Sequence, residues 1–146
     1  MKDKWLDYYI KIAKETASLS TARRLCVGAV IVKDNRILSV GYNGTPSGWD
    51  NNCEIELNVR EMGITELYTK KEVLHAEANA LMKLCRATES SQDAMMFITH
   101  SPCIECAKLI YQAGIKKVFF IDNYKDDIGI KFLNKAGVQV CQVEQP

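Results

Sequence analysis

Apolar positions along the chain fall into two rhythms. Between residues 3 and 19, Trp5, Leu6, Tyr9, Ile12, Ala13 and Ala17 recur at helical spacing, with Asp3 where an N-cap would stand. From Cys26 to Lys33 the rhythm gives way to a β-branched apolar run, which predicts a strand. Lys33-Asp34-Asn35-Arg36 predicts a turn and Ile37 to Tyr42 a second strand, so the two form a hairpin. Asn43 to Asn52, rich in Gly, Pro, Asn and Ser, predicts a loop. Residues 53–74 are ambiguous, with a short helix as the expected content, and read as an insertion rather than a core element.

Beyond residue 74 the two rhythms alternate. Helices are predicted over His75 to Arg86, Pro102 to Ala113 and 126–136, and strands over Ala94 to Thr99, Lys117 to Asp122 and Val138 to Val143. Pro102 near the start of the second helix and Gly114 just past its end follow the usual asymmetry of helix termini. Helix–strand alternation implies right-handed crossovers with helices on the faces of a sheet. With the leading hairpin, the expected fold is an α/β protein: a three-layer α/β/α sandwich with a mixed sheet of about five strands, forming a single domain over residues 1–146. No repeat, low-complexity tract or linker interrupts it.

Composition fits such a domain. The 146 residues can bury a core, and 47% apolar with 25% charged residues is ordinary for a soluble globular chain. With 19 basic and 18 acidic residues the net charge is +1, which argues against nucleic acid as a partner, since bulk backbone binding usually needs a basic surface. It leaves room for one short basic pocket facing a single phosphate. No apolar run has the length of a membrane span, and no signal-like apolar core follows Met1-Lys2-Asp3-Lys4-Trp5. The expected setting is the cytosol, with no membrane partner.

The candidate chemistry lies in cysteine and histidine. Of six cysteines, only Cys103 and Cys106 are closely spaced, a pattern that reads in a cytosolic chain as metal-binding or catalytic rather than as a disulfide framework. Histidines are two, His75 and His100. His75-Ala76-Glu77 opens one predicted helix and Pro102-Cys103-Ile104-Glu105-Cys106 opens another. Two thiolates three positions apart, joined by one imidazole, give zinc three protein ligands and leave a fourth position for water. Helix N-termini lower thiolate pKa values, so the ligands are deprotonated near neutral pH. Glu77, two residues after His75, should point roughly 200° around the helix from it. It is therefore expected not as a second ligand but as a group that reaches the activated water.

Bland readings stand beside this one. A Cys-x-x-Cys can be a redox dithiol, against which stand Pro102 and the His75/Glu77 pair. A structural zinc site would need a fourth ligand, for which Cys53 is the candidate. His100 could ligate, but stands at a strand end and reads better as a pocket or interface residue. Cys26, Cys85 and Cys141 lie in apolar patterns and are expected to be buried core thiols.

The order His-x-Glu followed by Pro-Cys-x-x-Cys resembles the signature of zinc deaminases, in which the Glu is the proton shuttle. The resemblance extends over about residues 3 to 143. Val27-Gly28-Ala29-Val30-Ile31-Val32, Gly41-Tyr42-Asn43-Gly44-Thr45-Pro46-Ser47-Gly48, His75-Ala76-Glu77-Ala78-Asn79-Ala80, Ser101-Pro102-Cys103-Ile104-Glu105-Cys106-Ala107-Lys108 and Gly114-Ile115-Lys116-Lys117-Val118 are similar to the deoxycytidylate deaminase family. The zinc motif is shared with cytidine, guanine, riboflavin-pathway and tRNA adenosine deaminases; the Gly-Tyr-Asn-Gly-x-Pro-x-Gly loop narrows the choice. The resemblance implies hydrolytic deamination of dCMP to dUMP and ammonia, feeding thymidylate synthesis, in a hexamer activated by dCTP and inhibited by dTTP. A triphosphate effector would bring Mg²⁺ with it.

The resemblance also implies roles for residues. His75, Cys103 and Cys106 become ligands of one catalytic Zn²⁺, and Glu77 the acid–base. Asn43 addresses sugar or base, though its bland reading is a turn residue with positive φ. The backbones of Ala76 and Ser101 address the cytosine edge. For the 5′-phosphate, Thr21, Arg23 and Arg24 precede the first strand and Tyr124 and Lys125 follow the fourth; Arg24 and Tyr124 are favoured. Gly44, Thr45, Pro46 and Gly48 form the expected effector loop, where backbone N–H groups could cradle a polyphosphate. Two departures are notable. Some relatives hold a second zinc in the insertion, whereas residues 50–74 here contain one Cys and no His; and Ala22 stands where relatives often have Cys. Other readings remain: a deaminase of cytidine or tRNA adenosine, or a zinc-stabilised module without catalysis, against which Glu77 speaks.

Overall fold

In the computed structural model the described residues are 3–59 and 61–144. Met1 and Lys2, the first residues of the N-terminal stretch read above, lie outside them, as do Arg60 and the last two residues. The order is α1 (Asp3–Ala17), β1 (Gly28–Lys33), β2 (Arg36–Tyr42), β3 (Glu54–Val59), β4 (Ile64–Thr69), α2 (Ala76–Leu84), β5 (Met95–His100), α3 (Ile104–Gln112), β6 (Lys117–Asp122), α4 (Ile128–Lys135) and β7 (Gln139–Gln142). The main sheet has five strands in the order β2-β1-β5-β6-β7. β1 runs antiparallel to both β2 and β5, while β5, β6 and β7 are parallel. The sheet is therefore mixed, as expected. Asp34 and Asn35 take positive φ in the turn between β1 and β2, the conformation that tight hairpins require.

Strand alternation sorts the core into two layers. Ala29, Ile31, Met96, Ile98 and Val118 pack with residues of α2, α3 and α4 on one face. Val30, Val32, Phe97, Phe119 and Ile121 face Tyr9, Ile10 and Ala13 of α1 on the other. Three helices thus cover one face and a single helix the other. Among the described residues no helix is long and apolar enough to cross a membrane.

Two close approaches hold the site-bearing helices. A Cβ added at Gly41 of β2 would lie 2.4 Å from the Ala76 carbonyl oxygen and 2.5 Å from the Ala80 amide, so β2 and α2 meet backbone to backbone. A Cβ at Gly129 of α4 would lie 2.1 Å from the Pro102 carbonyl oxygen and 2.9 Å from the Cys103 carbonyl carbon. Only glycine lets α4 reach the chain that turns into α3.

The segment 53–74 departs from expectation. It is no helix but a β-hairpin, β3 paired antiparallel with β4 as a separate two-stranded sheet. Glu54, Glu56 and Asn58 alternate with Ile55 and Leu57, a period of two that a short helix cannot use. Its apolar side chains Ile55, Leu57, Ile64 and Tyr68 are exposed, so the usual contrast between buried and solvated faces is missing. The thiols also depart: Cys85 is exposed at the C-terminus of α2, while Cys26 and Cys141 are half-buried. Cys85 follows the last turn of α2, beyond the stripe that ends at buried Leu84.

Gly41→Ala forces β2 and α2 apart. Overpacking of this kind costs about 2–3 kcal/mol, which lowers the thermal midpoint of a domain this size by about 5–10 °C. A melting curve by circular dichroism checks it; an unchanged midpoint would show that the strand–helix approach tolerates a methyl group.

Candidate active site

The carboxyl ends of β5 and β6 open onto a cleft of about 250 Å³. Crevices at this edge of parallel strands are the usual ligand sites of α/β sheets. Two helices begin there. His75 is the N-cap of α2 and Cys103 the N-cap of α3, where the Cys103 sulfur accepts from the Cys106 amide at 3.5 Å. Both helices therefore turn their N-terminal N–H groups and partial positive charge toward the same place.

Three donor atoms converge. His75 Nδ1 lies 3.6 Å from Cys103 Sγ and 3.3 Å from Cys106 Sγ, and the three ligand atoms lie within 4.8 Å of one another. Zinc with bonds of about 2.05 Å to nitrogen and 2.3 Å to sulfur in a tetrahedron places N and S about 3.6 Å apart. The donor set and its spacing fit that ion, with a corner to spare. Among the described residues no other group of this kind occurs. Cys53 is not among the converging atoms; it is buried, 3.7 Å from the Thr21 hydroxyl. Nor does His100 join: its Nδ1 meets the Thr99 hydroxyl at 2.9 Å, and it lines the cleft as a pocket residue. Burial lowers its pKa, against a weaker opposite pull from Asp122.

The electrostatics suit a cation. The hydrogen bond from Cys106, then that with His75, holds the Cys103 thiol down to about 3. Cys106 is pushed up by the same bond to Cys103 and by burial. His75 is raised chiefly by its bond to Cys103. Cys103 is thus the more acidic of the two thiols, and a bound metal ion would displace protons from both. Glu77, buried in the first turn of α2, has its carboxyl pushed above the usual range by that burial.

Glu77 stands outside the three converging ligand atoms, as expected of it, and lines the cleft. His75 has φ −77° and ψ 152°, an extended conformation, so helical rotation starts only at Ala76. His75 and Glu77 both line the cleft.

Other expected residues divide. Ala76, Ser101, Asn43, Arg24 and Tyr124 all line the cleft, and so do Lys125 and Ala22. The Ser101 amide donates to the Asp122 carbonyl at 2.9 Å. Its hydroxyl accepts from the Tyr124 amide at 2.7 Å. Asn43 does not have positive φ; its side chain accepts from the Val27 amide and donates to the Leu25 carbonyl, both at 2.8 Å. One amide proton and one lone pair remain to it. Gly44, Thr45, Pro46 and Gly48 are not brought to the cleft. Gly44 exchanges backbone hydrogen bonds with Leu74, and the Thr45 hydroxyl donates to the Asp50 carbonyl at 2.7 Å. Neither Thr21 nor Arg23 lines the cleft. Reading the sequence missed Glu54 and Thr69, which do; the alternation of charged and apolar residues from Glu54 onward was the available signal.

Comparison with known proteins agrees with this geometry. The family profile described as cytidine and deoxycytidylate deaminase zinc-binding region matches residues 3–122. A crystal structure of dCMP deaminase from the cyanophage S-TIM5, in complex with dCMP and dUMP, superposes with a TM-score of 0.88 at 42% identity, covering 98% of this chain and 99% of that one. The ComE operon protein 2 of Bacillus subtilis is 35% identical over 96% of this chain and 71% of its own length. Human deoxycytidylate deaminase is 39% identical over 84% of this chain and 67% of its own length. On the zinc donors, the buried glutamate and these matches together, the chain belongs to the cytidine and deoxycytidylate deaminase family.

Proposed function

We propose that the protein catalyses hydrolytic deamination of dCMP to dUMP and ammonia. The observation that carries this reading is the meeting of His75, Cys103 and Cys106 at metal-ligand spacing beside the buried Glu77 carboxyl. The dCMP and dUMP of the cyanophage complex supply the substrate and product class. His75, Cys103 and Cys106 would hold a Zn²⁺, which when bound would supply an activated water by lowering its pKa toward neutrality.

The chain's own groups do the rest. The Ala76 amide, free of an intrahelical partner in the first turn, donates to the cytosine O2 edge, and the Ser101 carbonyl accepts from the 4-amino group. Glu77 takes a proton from the attacking water and delivers it to ring N3 as the C4–O bond forms. It then carries the remaining hydroxyl proton to the amino group, the C4–N bond breaks, and ammonia leaves. Asn43 offers its remaining amide proton to the sugar. Arg24 and Tyr124, with Lys125 beside them, receive the 5′-phosphate at the far end of the cleft.

Elemental analysis tests the metal. Wild type should carry one zinc per chain, and His75→Ala and Cys103→Ala should lose it; full retention in both would remove the assignment. Glu77→Gln should keep zinc and lose turnover by about 10²–10⁴-fold or more, since several proton transfers pass through it. A near-normal rate would take Glu77 out of the mechanism.

Substrate selectivity tests the phosphate. The value of kcat/KM should be about 10²-fold higher for dCMP than for deoxycytidine, because charge-assisted contacts to phosphate are strong. Equal values would indicate a nucleoside deaminase instead.

Regulation belongs to the same reading: a homo-oligomer, by resemblance a hexamer, activated by dCTP and inhibited by dTTP, each with Mg²⁺. What supports it is the exposed apolar side chains of Trp49, Ile55, Leu57, Ile64 and Tyr68, and the continuity of Gly44, Thr45, Pro46 and Gly48 with cleft-lining Asn43. Mass by light scattering should exceed the monomer, and rate against dCMP should shift in opposite directions with the two triphosphates. Unchanged hyperbolic curves from a monomer would refute both.

A further inference from the structure

Part of the cleft wall is chain without regular hydrogen-bonded structure, the stretch between α1 and β1, and side chains from elsewhere set its course. Asn43 grips it at Leu25 and Val27. Glu54, the first residue of β3, grips it at Arg23 and Arg24. The Glu54 carboxylate is 2% exposed. Its Oε2 accepts from the amides of Arg23 at 3.0 Å and Arg24 at 3.2 Å, and its Oε1 accepts from the Arg23 amide at 3.2 Å. The Arg23 side chain closes over it, with Nε 3.7 Å from Oε1. A buried carboxylate is tolerable only when donors surround it, so these two peptide units are held in one orientation.

Thr69 completes the grip. It is the cross-strand partner of Glu54 in the hairpin, and its hydroxyl accepts from the Arg24 guanidinium at 3.1 Å. One register pair therefore holds Arg24 at both ends: the carboxylate takes its backbone N–H and the hydroxyl takes its head. A guanidinium has five N–H donors, of which Thr69 uses one. Four remain, on a residue that lines the cleft.

We propose that the β3–β4 hairpin is a positioning device for Arg24, and that Glu54 and Thr69 are positioning residues which set the enzyme's preference for a substrate bearing a 5′-phosphate. The inference rests on the reading of Arg24 as a phosphate ligand. It has a sign that simple electrostatics would not give. Glu54 is an anion in the wall of a cleft that receives another anion, so removing its charge should favour dCMP if charge alone mattered. If orientation of Arg24 matters, removing it should disfavour dCMP, because a displaced charge clamp costs far more than its distance from the chemistry suggests.

The experiment measures kcat/KM for dCMP and for deoxycytidine, taken as a ratio, in wild type, Glu54→Gln, Thr69→Val and Arg24→Ala. The ratio should fall about ten-fold in Glu54→Gln and a few-fold in Thr69→Val, with the loss in KM for dCMP. Adding Glu54→Gln to Arg24→Ala should lower the ratio no further than Arg24→Ala alone, since both act through one side chain. Thr69 is exposed, so Thr69→Val keeps the test decisive if Glu54→Gln does not fold. A high wild-type ratio that stays unchanged or rises in the variants overturns the positioning role alone. A wild-type ratio near one removes the phosphate subsite itself, and this inference with it.

Discussion

Everything at the site depends on two helices starting at the same point. His75 and Cys103 are both N-cap residues, and the imidazole of one faces the sulfurs of the other helix's first turn. That meeting requires α2 and α3 to lie close together on one sheet face. Small side chains make it possible: Ala76, Ala80 and Ala107 are fully buried in the layer that joins them to β1 and β5. Gly41 seats α2 on β2, and Gly129 lets α4 close over the turn into α3. The three donor atoms are thus fixed by backbone contacts rather than by the flexibility of their own side chains.

Most of that frame could be read in the sequence, because it is made of long periodic segments with marked ends. The helix at Pro102 is an instance: a proline before it, a glycine after it and cysteines in its first turn fixed both its place and its chemistry. The segment after Cys53 was not legible for a physical reason. A hairpin that stands apart from the main sheet buries little apolar surface, and here the buried residue is the charged Glu54 while Ile55 and Leu57 are exposed, so the alternation does not carry the usual apolar-inside contrast. The wheel argument for Glu77 needs one refinement. It assumed helical rotation from His75 onward, whereas a cap residue has extended dihedrals and restarts the count.

The charges at the site account for the role given to Glu77. Two thiolates and one neutral imidazole balance a divalent ion, so the loaded metal site adds no net charge to hold a neighbouring carboxylate ionised. Burial, meanwhile, raises the carboxyl's affinity for a proton. A carboxyl with its proton affinity raised in this way suits the proton transfers proposed for it. A shuttle needs this at near-neutral pH, where a fully solvated glutamate would be too weak a base.

The hairpin obeys the same logic of shared support. Two strands alone are marginally stable in water, and here the outward face presents Ile55, Leu57, Ile64 and Tyr68 to solvent. What holds the other face is the stretch between α1 and β1. Arg23 pairs with Glu54 and Glu56, and Arg24 with Thr69, while the Lys70 amide returns to the Cys53 carbonyl at 2.8 Å. Hairpin and cleft wall therefore order each other. A ligand that engages Arg24 adds its binding energy to that joint structure, because binding to an ordered form stabilises every contact which that form requires. The Arg24 end of the cleft is then held by side-chain hydrogen bonds from the hairpin, whereas at the His75 and Cys103 end the helices are seated by backbone approaches at Gly41 and Gly129.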